Sequence, residues 1–118
     1  MHELAICEQI LAVALDCAEK AEAVKIKKVH VRAGEMRHII PELMNHYFSF
    51  LTKDTPAAGA ELEITITSAR ARCKECQNEY IVKNFVFECP RCGANSPELI
   101  AGMELILEDI EVFDEADG

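Results

Sequence analysis

The sequence predicts an α+β fold: a small mixed three-stranded sheet packed with two helices, with a cysteine-bearing lobe inserted ahead of the last strand. Three observations predict it. Two segments carry apolar residues at helical spacing, three segments alternate in the manner of strands, and four of the six cysteines crowd between positions 73 and 92.

The first helix starts almost at the first residue. Leu4, Cys7, Leu11, Ala14, Leu15 and Ala18 recur at three- and four-residue spacing, and Ile6, Ile10, Val13 and Cys17 widen that face. A helix this apolar is expected to be buried on more than one side and to fade near Glu22. Lys27–Ala33 then alternates, Val29 and Val31 against Lys28, His30 and Arg32, and Gly34 ends the strand. Pro41 suits the first turn of a second helix, whose apolar face is Leu43, Met44, Tyr47, Phe48 and Leu51. Thr55, Pro56 and Gly59 break it. Glu61–Thr67 alternates again, with Leu62, Ile64 and Ile66 expected inward. The last strand, Met103–Phe113, has Leu105 and Leu107 on one face and Ile106, Ile110 and Val112 on the other, as a central or bulged strand would. Strand, helix, strand implies a right-handed crossover between two parallel strands, with the third antiparallel to a neighbour. The domain expectation is therefore discontinuous: residues 1–70 and 98–118 form the helix-and-sheet domain, and residues 71–97 form the insert.

Composition narrows the function classes. Half of the 118 residues are hydrophobic, enough for a packed core. The formal charge is -9, with 12 Lys and Arg against 21 acids. A chain that grips nucleic acid needs clustered cations, so nucleic acid is not expected as a partner. The apolar run from Leu4 to Ala18 is interrupted by Glu8, Gln9 and Asp16 and has no basic leader, so neither a membrane span nor a signal peptide is expected. The expected location is the cytoplasm, where thiols stay reduced and six cysteines suggest metal ligands before disulfides. No nucleophile–base pair stands at an informative spacing, so the chain is not expected to be an enzyme.

Cys73-Lys74-Glu75-Cys76 and Cys89-Pro90-Arg91-Cys92-Gly93 are two C-x-x-C knuckles. Each turn aims two sulfurs at one point, and two turns complete the tetrahedral shell that zinc favours. The insert thus reads as a zinc ribbon held by Cys73, Cys76, Cys89 and Cys92. With four sulfurs the shell is closed to water, and the zinc is structural. Gly93 supplies the positive φ that a knuckle uses, and Tyr80–Phe87 offers the short hairpin such a lobe needs. Rubredoxin-type iron uses the same four ligands.

The chain opens Met1-His2-Glu3. Methionine before a bulky histidine is usually retained, leaving a terminal amine with a pKa of about 7.7–8.0. That amine, the backbone nitrogen of His2 and its imidazole form adjacent chelate rings, a nitrogen-rich set that suits Ni(II) or Cu(II). Without further context these residues read as an ordinary solvated terminus. Cys7 is foremost a small core hydrophobe, although it lies one turn beyond Glu3 and a soft ligand role is conceivable. Cys17 is expected in the core and His30 in solvent. His38, near Glu35 and Glu42, is an auxiliary-ligand candidate.

Taken together, the Met-His-Glu start, the Gly34-Glu35 turn, the Pro41-Glu42 helix, C-x-x-C followed by C-P-x-C-G, and the closing Gly102-Met103-Glu104-Leu105 resemble the hydrogenase nickel-incorporation family HypA/HybF. The likeness runs from Met1 to Phe113. It implies a nickel metallochaperone, with Ni(II) as transient cargo bound by His2, Met1 and Glu3, and zinc held by the four cysteines. It further implies a HypB-type GTPase and the [NiFe] hydrogenase large-subunit precursor as partners, and leaves a homodimer open. Many family members read Gly-x-Leu-Ser-x-Val where this chain has Gly34-Glu35-Met36-Arg37-His38-Ile39, and no histidine follows His46 here. The alternative is a zinc-ribbon module for protein or nucleic-acid interaction, with no nickel role.

Overall fold

The computed structural model describes residues 3–113. In chain order these form α1 (Glu3–Lys20), β1 (Ile26–Gly34), a 3-10 turn (Glu35–Arg37), α2 (Pro41–Leu51), β2 (Glu61–Thr67), β3 (Arg70–Cys73), β4 (Glu79–Ile81), β5 (Pro97–Ala101) and β6 (Leu105–Val112). There are two three-stranded sheets, ordered β2-β1-β6 and β4-β3-β5. The chain divides into two compact units. The first takes the residues up to Arg32, Ile39–Thr65 and those from Ile106 on; the second takes Ala33–His38 and Ile66–Leu105.

Apolar periodicity accounts for the first unit. α1 buries Ile6, Cys7, Ile10, Ala14 and Ala18, a single stripe rather than the two-sided burial expected: Leu4 is 43% exposed and Val13 49%. That stripe packs on α2, whose buried residues are Met44 and Phe48. Pro41 occupies the first turn of α2, where its missing N–H costs nothing. At the other end the Thr52 hydroxyl donates to the Phe48 carbonyl at 2.8 Å, satisfying one of the last acceptors. Ile26, Val29, Val31 and Leu62 add the buried side of β1 and β2.

β1, not the last strand, is central in its sheet, so β6 is an edge strand with no fully buried residue. Its apolar residues on both faces suggested a central or bulged position; the edge placement leaves Ile106 40% exposed and Val112 37% exposed. Ile66, expected inward, is 43% exposed.

The second unit has a much smaller core: Ala69, Ala71, Cys73, Tyr80, Val82 and Cys89, with Met36, Cys76, Phe87 and Ala94 packed against it. β3 is its middle strand, antiparallel to β4 (Ala71 opposite Tyr80) and to β5 (Ala71 opposite Leu99). The backbone of residues 33–38 joins this unit through polar ties. Gly34 N–H donates to the Glu104 carbonyl at 2.8 Å, Met36 N–H to Gly102 at 2.9 Å, and Ala69 N–H to the Glu35 carboxylate at 2.7 Å. Gly34 has to be glycine. A Cβ there would fall 2.1 Å from the backbone carbonyl carbon and oxygen of Gly102, which no side-chain rotation relieves.

Candidate metal centre

The cysteines converge because two knuckles repeat one local design. In the first, Gln77 N–H donates to the Cys73 carbonyl at 2.8 Å and Cys73 N–H to Asn78 at 2.8 Å. In the second, Gly93 N–H donates to the Cys89 carbonyl at 2.8 Å and Cys89 N–H to Ala94 at 2.9 Å. Gln77 and Gly93 occupy the same place in each knuckle, and both adopt positive φ, 66° and 77°. β3 delivers Cys73 at its last residue. The second knuckle is steadied by the Tyr80 hydroxyl, which donates to the Phe87 carbonyl at 2.9 Å.

One ligand atom from each of Cys73, Cys76, Cys89 and Cys92 lies within 4.8 Å of all the others. The Cys73 and Cys92 sulfurs are 3.5 Å apart and the Cys76 and Cys89 sulfurs 3.6 Å. A metal–sulfur bond of about 2.3 Å in a tetrahedron places neighbouring sulfurs about 3.8 Å apart, so the constellation has the size of a four-thiolate metal shell. All four thiols are free of disulfides. Among the described residues no other group of three or more His, Cys, Asp and Glu side chains is arranged to hold an ion.

Electrostatics favours thiolate at one position first. Burial acts to raise the Cys89 thiol, yet the backbone N–H groups of Cys92 and Arg91, with the Cys76 and Cys92 thiols, bring it down to about 6. The Arg91 N–H lies 3.4 Å from that sulfur and the Asn78 amide 3.8 Å. Cys92 goes the other way. The Ala94 N–H lowers it, but the neighbouring cysteines and burial push it up to about 12. Four sulfurs this close cannot all ionise without a cation to share, which is the chemistry of a metal-binding set.

The other expected ligands fare differently. Met1 and His2 lie outside the described residues. Glu3 opens α1 and is buried, 7% exposed. Cys7 is fully buried, its thiol directed at the Met44 carbonyl (3.3 Å) and thioether (3.6 Å). Burial, then the Glu3 charge, pushes it up to about 11, so it is a neutral core residue. Cys17 is only half-buried. His38 takes a left-handed φ of 55° and stacks on Phe85, ring centroids 5.2 Å apart.

His30 is the residue whose role was hardest to anticipate. It is not a free solvated side chain: its Nε2 meets the Glu111 carboxylate at 2.6 Å and Asp109 at 3.7 Å, and its Nδ1 meets Glu63 at 3.6 Å. From the middle strand it therefore ties both edge strands of its sheet. The hydrogen bond to Glu111 is the main reason its imidazole titrates above the usual range.

The family model described as hydrogenase/urease nickel incorporation, metallochaperone, hypA matches residues 1–112. The chain belongs to the HypA family. A hydrogenase maturation factor HypA of Desulfatibacillum aliphaticivorans is 38% identical over 97% of this chain and 88% of the relative. Another, from Caldanaerobacter subterraneus subsp. tengcongensis, is 38% identical over 95% of this chain and 99% of its own. The solution structure of the Ni metallochaperone HypA from Helicobacter pylori superposes with a TM-score of 0.69 at 23% identity, covering 98% of this chain and all of that one, and so supports the fold. HypA proteins are nickel metallochaperones of hydrogenase maturation, and the four-cysteine cluster gives this member a zinc-ribbon type of lobe. No helix among the described residues is long and apolar enough to cross a membrane.

Proposed function

We propose that this protein binds Ni(II) at its N-terminus and helps insert it into the [NiFe] hydrogenase large-subunit precursor, acting with a HypB-type GTPase in the cytoplasm and catalysing no reaction itself. The observation that carries this is a family match that begins at residue 1 and runs to residue 112, so it takes in the Met-His-Glu start together with the cysteine lobe. His2 is the principal nickel ligand, through its imidazole and backbone nitrogen, joined by the Met1 amine and by Glu3. Glu3 stands at the first helical position with a buried side chain, so whatever it offers the metal comes from a fixed place.

Nickel bound to backbone nitrogen displaces a proton, so acidification releases the cargo. The four sulfurs suit zinc, which they would hold in a closed structural shell; when bound it supplies folding free energy, not a reactive position. The functional division follows, with a nickel domain of residues 1–70 and 98–118 and a zinc ribbon of residues 71–97. The test is His2→Ala in untagged protein. Calorimetric nickel binding is lost while zinc content and the circular dichroism spectrum stay as in the native chain; undiminished nickel affinity refutes the assigned site.

A further inference from the structure

The hairpin between the two cysteine knuckles turns on residues that its backbone does not favour. Lys83 pairs antiparallel with Val86, and the Val86 N–H donates to the Lys83 carbonyl at 2.9 Å, leaving Asn84 and Phe85 as the two turn residues. Both are left-handed, with φ of 52° and 59°. Two-residue hairpin turns with positive φ at both positions favour Asn-Gly. Asn84 fits that pattern. Phe85 stands where glycine is expected, and a bulky side chain on left-handed backbone is costly.

Packing within the chain does not repay that cost. Phe85 is 53% exposed, and its ring partner is His38, inclined to it by only 19° with centroids 5.2 Å apart. His38 is itself left-handed, at φ 55°. The stack covers one face of the phenyl ring and fixes its direction. The adjoining Val86 is 55% exposed and, with Ile81, Lys83 and Pro90, lines a surface groove of about 640 Å³. Strained backbone that holds an aromatic ring out in solvent points to function before stability.

We propose that Phe85 is the anchor by which this chain grips the protein that receives its nickel, the ring entering an apolar pocket whose rim carries a carboxylate. The rim charge follows from Lys83. Arg70 and Arg72 are ion-paired with Glu79, and Arg72 also with Glu98, whereas Lys83 is exposed at the foot of the turn and has no ion pair among the described residues. An aromatic ring already held in one direction loses little freedom on docking, and such residues dominate interface energies. The net charge of -9 disfavours the other surface that takes exposed aromatic rings, an anionic bilayer. The choice of partner rests on the nickel-delivery reading above; the anchor rests on the turn.

Surface plasmon resonance of the zinc-loaded full chain over immobilised, purified [NiFe] hydrogenase large-subunit precursor is the test. Phe85→Gly weakens binding by roughly tenfold or more, and so does Phe85→Asn, which keeps a side chain that tolerates left-handed backbone. Lys83→Glu weakens it by a smaller factor that shrinks as salt is raised. Zinc content and calorimetric nickel binding stay native in all three. The melting temperature of Phe85→Gly does not fall, because relief of the left-handed strain offsets loss of the stack on His38. Full-strength binding by Phe85→Gly and Phe85→Asn overturns the anchor, and a lowered melting temperature beside it makes Phe85 a packing residue. A native chain that does not bind the precursor at all overturns the delivery reading and the anchor's partner together.

Discussion

The two units are built on different physics. The first holds itself with side-chain volume: Phe48, Ile26, Met44, Val29 and Val31 are its largest fully buried side chains. The second has a core of two alanines, a tyrosine, a valine and two of its four metal-directed cysteines, too small for much hydrophobic stabilisation. Charge divides the same way. The second unit carries six basic and six acidic side chains, whereas the first carries six basic and fifteen acidic, the whole excess of negative charge in the chain. The acidic excess therefore lies in the unit that carries the proposed nickel ligands, and the four clustered cysteines lie in the other. The units should fail under different insults.

Removing the metal separates them most sharply. A strong chelator takes away the whole of a metal-binding free energy that is about 10–16 kcal/mol in isolated zinc-finger peptides, and Cys89→Ser takes away one of the four ligands that supply it. The second unit then loses amide protection in hydrogen exchange while the α1 and α2 signals persist. Equal loss in both units would mean that they share one folding transition. The converse is Phe48→Ala, which empties the first core at a cost of about 3–5 kcal/mol. Thermal denaturation shifts down, and the visible absorption of cobalt bound to the four cysteines is retained. Gly34→Ala comes next. Its methyl would overlap the Gly102 backbone, and forced repacking of this kind costs about 1–3 kcal/mol or more. Hydrogen exchange at the Met36 amide reads it directly.

The smallest effect concerns His30. Its folded pKa is raised, so its stabilising contribution is complete below the unfolded value and disappears as pH rises through the folded one. The Glu111 carboxyl is held low by the same hydrogen bond, so its share is present above its unfolded pKa and disappears as pH falls through the lowered folded value. Melting temperature should therefore decline on the alkaline side of the His30 titration, and His30→Gln should flatten that slope. An unchanged slope would remove His30 as the cross-strand tie.

What could be read from sequence follows the same divide. α1, α2, β1 and β2 stand close to their expected bounds, because an 18-residue helix and a nine-residue strand leave a visible period. β3 and β5 escaped. Arg70-Ala71-Arg72-Cys73 hides its buried alternation behind two arginines, and β5 opens on proline. Strands this short are held by the knuckles they flank, and nothing in their own residues demands pairing. The four cysteines were legible from spacing alone. His30 was not, since its chief partner Glu111 is 81 residues away and only sheet pairing brings them together.

The most direct test of the whole account is a nickel titration of zinc-loaded, untagged protein, with released zinc followed by a chromogenic reporter. The proposed function has a nitrogen clamp at Met1–Glu3 and a sulfur cage at Cys73–Cys92 acting independently, so it predicts that nickel binds to saturation with no zinc set free. Nickel uptake matched mole for mole by zinc release, or no uptake at all, would contradict it.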